Sequence, residues 1–136
     1  MGALLRVPWE AVRQAMLERL HREGFTELDH AHLNVLQYPG PDGIRPSELA
    51  ATLRISKQAL NYQLGELTRS GYLERIPDPH DARSKLIVLT PRGHQAMKTI
   101  RKAVREVERG WAQRLGDEQF TQLKHLLEEL GDVLTP

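Results

Sequence analysis

The sequence predicts a mainly α-helical chain with one small β-hairpin, and three observations lead there. From Ser56 to Leu67 a capping residue opens a run that sets Leu60, Leu64 and Leu67 on one helical face. Before it, Pro46–Leu53 has its own helical spacing and is separated by the two residues Arg54 and Ile55. After it, Tyr72–Ile76 and Leu86–Leu89 read as two strands of a hairpin. Helix, tight turn, helix and hairpin in direct succession form a winged helix-turn-helix. The 136 residues fit one domain with a real core.

Taken in order, Pro8 opens a first helix in which Trp9, Val12, Met16 and Leu20 form an apolar stripe, and Gly24 ends it. Trp9 and Leu5 are large apolar groups near a terminus, placed either to staple onto the chain's own core or to meet a second subunit. Asp29 can cap a second helix from about His30 to Tyr38, with Leu33, Val35 and Leu36 inward. The cluster Pro39-Gly40-Pro41-Asp42-Gly43 is a turn, and Ile44 is an extended residue able to pair with the later hairpin. Pro46 suits the first position of the third helix, whose Leu49, Ala50 and Leu53 face inward. Arg45 stands where a capping hydroxyl would be expected; a cation there opposes the helix dipole, and a nearby phosphate would explain it.

Gly71 suits the left-handed position that ends the fourth helix. Between the strands, Pro77–Lys85 reads as a long polar tip, with Asp81 placed to brace Arg83 or receive backbone amides. Thr90 caps a long helix with Pro91 at its first position, and Met97, Ile100, Val104, Val107 and Trp111 form a coiled-coil-like seam. Gly116-Asp117 breaks it, and Phe120, Leu123, Leu126, Leu127, Leu130 and Leu134 make the last helix strongly apolar. A small winged lobe cannot bury all this terminal surface, so a two-fold homodimer built from both chain ends is expected, with Trp9, Ile100, Val104, Val107, Trp111, Leu123 and Leu127 at the interface. The division is residues 1–24 and 91–136 for dimerisation and 25–90 for the winged lobe.

Composition excludes several function classes. With no cysteine there are no disulfides, thiolate nucleophiles, cysteine zinc sites or thiol redox sensors. No apolar run approaches a membrane span, and the amino terminus lacks a secretory-signal pattern, so a cytoplasmic protein without membrane partner is expected. No phosphate-cradling glycine loop and no nucleophile elbow occurs, and Glu128 and Glu129 diverge as helix neighbours, so no enzyme and no cofactor is expected. His30 and His32 are two apart and face different ways, and His80 with Asp78 and Asp81 sits in a turn that needs no metal, so no metal site is assigned. His32 is either a structural histidine or a residue lining a ligand crevice. The net charge of +1 does not by itself argue for nucleic acid; the placement of basic residues around the fourth helix does.

That helix turns Lys57, Gln58, Asn61 and Tyr62 away from its leucine stripe. Gln58, Asn61 and Tyr62 are the candidates for reading base edges, since amide side chains pair bidentately with adenine. Arg54, Ser56, Lys57, Arg69 and Lys85 are candidates for phosphates, and Arg83 for the minor groove. Two amides in play favour an A·T-rich inverted repeat. The alternative is a winged helix used as a protein–protein module without specific DNA binding.

Asp81-Ala82-Arg83, five residues, then Leu89-Thr90-Pro91-Arg92-Gly93 resembles the wing signature D-x-R-x5-L-T-x-x-G of the MarR family of bacterial winged-helix transcriptional regulators. Ser47-Glu48-Leu49-Ala50, Ser56-Lys57-Gln58 and Leu67–Arg75 fit the same family's third helix, reading helix and first wing strand. The resemblance implies a triangular homodimer, terminal helices at the apex, with repressor activity released when a small, often aromatic, effector enters a crevice between lobe and dimer helices. One departure is Ala82, where many members carry a first wing arginine; it implies a smaller contribution of the wing to affinity. The family's cysteine oxidation sensing is excluded, and its zinc-sensing branch is not matched by these histidines.

Overall fold

Residues 1–135 are described by a computed structural model. In chain order they form α1 (Gly2–Arg22), α2 (His30–Leu36), α3 (Pro46–Leu53), α4 (Lys57–Arg69), β1 (Leu73–Asp78), β2 (Asp81–Leu89), α5 (Pro91–Leu115) and α6 (Asp117–Leu134). Helices α2, α3 and α4 pack with the β1–β2 hairpin into one lobe, while α1 lies along α5. One core runs through both, from Met16 and Leu20 through Leu33, Leu36, Leu49, Leu60, Leu64 and Leu67 to Tyr72, Ile87, Ala96 and Ile100.

Local chemistry sets the helix ends. The Asp29 carboxylate accepts from the His32 amide at 3.0 Å while His32 Nδ1 accepts from the Asp29 amide at 3.1 Å, a reciprocal capping box. His32 is thereby buried as a structural residue, its Nε2 3.6 Å from Glu66 Oε1 on α4. Ser56 Oγ accepts from the Ala59 amide at 3.1 Å, and Thr90 Oγ1 from the Gly93 amide at 3.1 Å. Arg54 ends α3 in the left-handed region at φ 55, which a side chain occupies only under strain. Ile44 exchanges both backbone bonds with Ile87, at 3.0 and 2.8 Å, and so ties the turn before α3 to the hairpin.

Three expectations are corrected. Helix α1 begins at Gly2 and passes through Pro8. Proline lacks the N–H that would bond the carbonyl four residues back, and Leu4, whose carbonyl goes without that bond, is exposed in the single chain. The stretch 77–85 is not a tip outside the strands: the ladder runs from Leu73↔Leu89 to Pro77↔Lys85 and resumes at Asp78↔Asp81, leaving Pro79 and His80 as the turn. Pro77 cannot donate to a ladder, and there the pairing slips, so residues 82–84 bulge. Third, Ile100, expected between subunits, is 3% exposed and belongs to the chain's own core with Ala96 and Ala103. Its seam faces α1, and Arg19, held by Glu106 and Glu23 at 2.7 Å each, clamps the α1–α5 contact from outside.

Candidate nucleic-acid interface

The three leucines of α4 are buried, and that burial fixes the opposite face outward. Gln58, Asn61, Tyr62 and Arg69 stand exposed there, Tyr62 at 66%. Lys57 and Asn61 border a shallow cleft of about 260 Å³ with Pro46 and Ser47 of α3. The Ser56 oxygen is engaged by the cap, which leaves its O–H as the group to give an acceptor. Arg54 and Ser56 are exposed in the turn just before α4. On the hairpin Arg83 and Lys85 are both exposed. Asp81 shapes the bulge that carries Arg83, accepting from its amide at 3.0 Å and from Ser84 Oγ at 3.2 Å.

Arg45 has a partner within the chain. Its Nε donates to Asp78 Oδ2 at 2.9 Å, and the Asp78 side chain is 2% exposed. Asp78 also accepts from the His80 amide at 2.9 Å. That amide first, then the Arg45 guanidinium, hold its carboxyl below the usual carboxylate range against the cost of burial. The pair ties the wing tip to the start of α3, so wing and reading helix share a frame. It also commits Asp78 to a structural role in the cluster with His80.

A second polar joint was not anticipated from the sequence. Tyr72, fully buried, donates its hydroxyl to Glu27 Oε2 at 2.7 Å and accepts from Arg92 Nη2 at 3.1 Å. Arg92 also reaches Glu27 at 3.1 and 3.2 Å and lies 4.9 Å over the Tyr72 ring and 5.6 Å from the Phe25 ring. The Tyr72 hydroxyl, chiefly, holds the Glu27 carboxyl low, while burial and then Glu27 push the Tyr72 phenol up to about 12. These three residues join the α1–α2 loop, the start of β1 and the start of α5. The hint was Arg92, a cation inside the stretch Leu89–Gly93, but its partners lie 20 and 65 residues away.

Between α1 and α5 opens a cleft of about 400 Å³, floored by Met16, Met97, Ile100 and Val104 and edged by Gln37, Arg101, Arg105 and Glu108. His32 does not line it. Among the interface candidates, Trp9 is 49% and Leu127 48% exposed, Leu123 is exposed, and Val104, Val107 and Trp111 are half-buried. No residue of α6 is buried, although Phe120 and five leucines lie along it. Among the described residues no helix is long and apolar enough to cross a membrane.

Comparison with known proteins agrees with this architecture. Residues 23–84 match the model of the MarR family. The transcriptional activatory protein BadR of Rhodopseudomonas palustris is 29% identical over 82% of this chain and 63% of its own length. The multiple antibiotic resistance protein MarR of Salmonella typhimurium is 42% identical over 37% of this chain and 35% of its own. The chain thus spans less than two thirds of the length of these curated relatives. A crystal structure of a cysteine-to-serine mutant of E. coli MarR complexed with operator DNA superposes with a TM-score of 0.72, covering 95% of this chain and 91% of that one at 24% identity, a likeness of fold. Reading helix, wing signature and flanking helices thus meet in one place, and residues 23–84, which hold the helix-turn-helix and most of the wing, are similar to the MarR family.

Proposed function

We infer that this protein is a sequence-specific double-stranded-DNA-binding transcriptional regulator that works as a homodimer, a ligand-responsive repressor acting on an A·T-rich inverted repeat. The observation that carries this reading is the outer face of α4. Buried leucines hold it rigid, two amides and a phenol stand exposed on it, and basic residues flank it on the turn and the wing. Gln58, Asn61 and Tyr62 read base edges, each bidentate contact contributing about 1–3 kcal/mol of discrimination. Arg54, Ser56, Lys57, Arg69 and Lys85 hold phosphates and Arg83 enters the minor groove. That MarR of E. coli has been crystallised with operator DNA supports the same use of this fold.

The dimer is supported by what one chain leaves uncovered. Leu4, Leu5, Val7 and Trp9 of α1 and Leu123, Leu126, Leu127 and Leu130 of α6 are exposed at the two ends of the sequence. A second copy related by a two-fold axis covers such a surface and sets the two reading helices one turn of DNA apart, about 34–36 Å. The α1–α5 cleft supports the effector: an apolar floor with two arginines at the edge suits a small aromatic acid.

Selection of bound sequences from a randomised duplex pool tests the reading. The expected result is an inverted repeat, bound with a log–log salt slope of about −7 for ~8 phosphates per dimer. Weak binding without sequence preference would support the protein-adaptor alternative instead.

A further inference from the structure

The outer face of α4 includes one residue that the fold does not explain. Gly65 lies in the helix interior, four residues after Asn61 and four before Arg69, on the face of Gln58 and Tyr62. Glycine is among the weakest helix formers, because it surrenders the most backbone freedom. No packing requires it: a Cβ at this position meets just the Arg69 guanidinium, Nη1 at 3.4 Å and Cζ at 4.0 Å. Gly93 is the opposite case, where a Cβ would stand 2.2 Å from the Tyr72 carbonyl oxygen. A Cβ at Gly110 or Gly131 meets nothing within 4 Å, but these lie on α5 and α6, which the homodimer reading gives to a second copy.

We propose that Gly65 is a positioning residue of the DNA face: its missing side chain leaves a slot over which a sugar–phosphate strand bordering the major groove passes, and Arg69, lying over that slot in the free chain, turns out onto a phosphate of the same strand. This rests on the DNA-binding reading above. Gly65 is in the third turn of α4, beyond the first turns that meet base edges in helix-turn-helix proteins, so the groove wall is the part of DNA it faces. Close backbone approach is a recurrent reason for glycine where an element meets a ligand. The slot contributes affinity and depth of insertion without reading a base.

The test measures wild type, Gly65→Ala, Gly65→Leu, Arg69→Ala and the Gly65→Ala/Arg69→Ala double variant on a selected operator and on random duplex, with thermal unfolding of each protein. Gly65→Ala is expected to raise the unfolding midpoint by about 3 °C. It is expected to weaken operator and random duplex alike, about tenfold, and Gly65→Leu more. Both Gly65→Ala and Arg69→Ala should flatten the salt slope by about one unit per subunit, and the double variant should lose less than the two single losses combined, since both act on one contact. Wild type that binds no duplex would overturn this proposal together with the DNA-binding reading. Wild type that binds while Gly65→Ala matches it would overturn the slot alone. A lowered midpoint would make the glycine structural, and a loss confined to the operator would make it a base reader; either result overturns the proposal.

Discussion

Removing one oxygen, by Tyr72→Phe, tests whether the Glu27–Tyr72–Arg92 cluster joins the lobe to the long helices. Tyr72 is fully buried, and its hydroxyl makes a 2.7 Å bond to a carboxylate and a 3.1 Å bond from a guanidinium. Hydrogen bonds to charged groups contribute about 1.5–3 kcal/mol. The low end applies, because Glu27 and Arg92 are both partly exposed and remain paired at 3.1 Å without the phenol. A loss of about 1.5 kcal/mol in a chain of this length lowers the unfolding midpoint by about 5 °C. The pH dependence adds a signature. The Glu27 carboxyl is held below its ordinary value, so its contribution is present above the unfolded-state value of 4.5 and is lost as pH falls through the lowered folded-state value. The Tyr72 phenol is raised from 10.0 to about 12, so its contribution is present below pH 10 and is lost as pH rises toward 12. The stability gap between wild type and Tyr72→Phe should therefore be widest near neutral pH and narrow toward both ends. Circular dichroism melts from pH 3 to 11 measure it. A midpoint within 1 °C of wild type at pH 7, or a gap that does not vary with pH, would refute the role given to this cluster.

On DNA, Asn61→Ala should relax base preference, whereas Lys57→Ala should weaken all sequences alike and flatten the salt slope by about one unit per subunit; competition binding on operator and random duplex separates the two. Leu127→Glu places a charge on the exposed apolar face of α6 and should convert the dimer to monomer in sedimentation at micromolar concentration, with operator affinity lost in parallel. Gly93→Ala would drive a Cβ to 2.2 Å from the Tyr72 carbonyl oxygen, where neither backbone can yield without moving α5 from β1. It should cost about 3 kcal/mol in urea denaturation, at the upper end of overpacking.

What could be read in the sequence was what depends on near neighbours. Asp29, Ser56 and Thr90 cap the helices they were expected to cap, because each needs an amide only three residues away. Leu60, Leu64 and Leu67 went inward as their spacing required. Partners far along the chain could not be read. Arg45 showed as a cation at a helix start, but its partner Asp78, 33 residues later, did not. Periodicity along α5 correctly gave an apolar stripe but could not say what covers it; Ile100, expected at a subunit interface, is buried in the chain's own core, where α5 packs on α1. The strands were read short because Pro77 and the polar residues after it look like a loop, while the backbone pairs around the proline by bulging.

The stretch Asp81–Gly93 acquires a physical reason for four of the five residues that the wing signature rests on, and for Arg92 beside them. Asp81 shapes the bulge that presents Arg83. Thr90 caps α5 and donates to the Gly71 carbonyl, fixing the end of α4 against the start of α5. Gly93 lets α5 approach the Tyr72 carbonyl, and Arg92 closes on Tyr72 and Glu27 beside it. The joint between reading helix and long helix is therefore tight, with these polar bonds fixing in place the apolar core that runs through it. A rigid joint transmits displacement. An aromatic acid wedged into the α1–α5 cleft, at Met97 and Val104 on α5, would shift α5 against α1, and Thr90, Gly93 and Arg92 would carry that shift to the end of α4. In a two-fold dimer the spacing of the two reading helices is set through the same joint. On the proposed function, displacing it would lower affinity for a repeat of fixed spacing without touching a base contact.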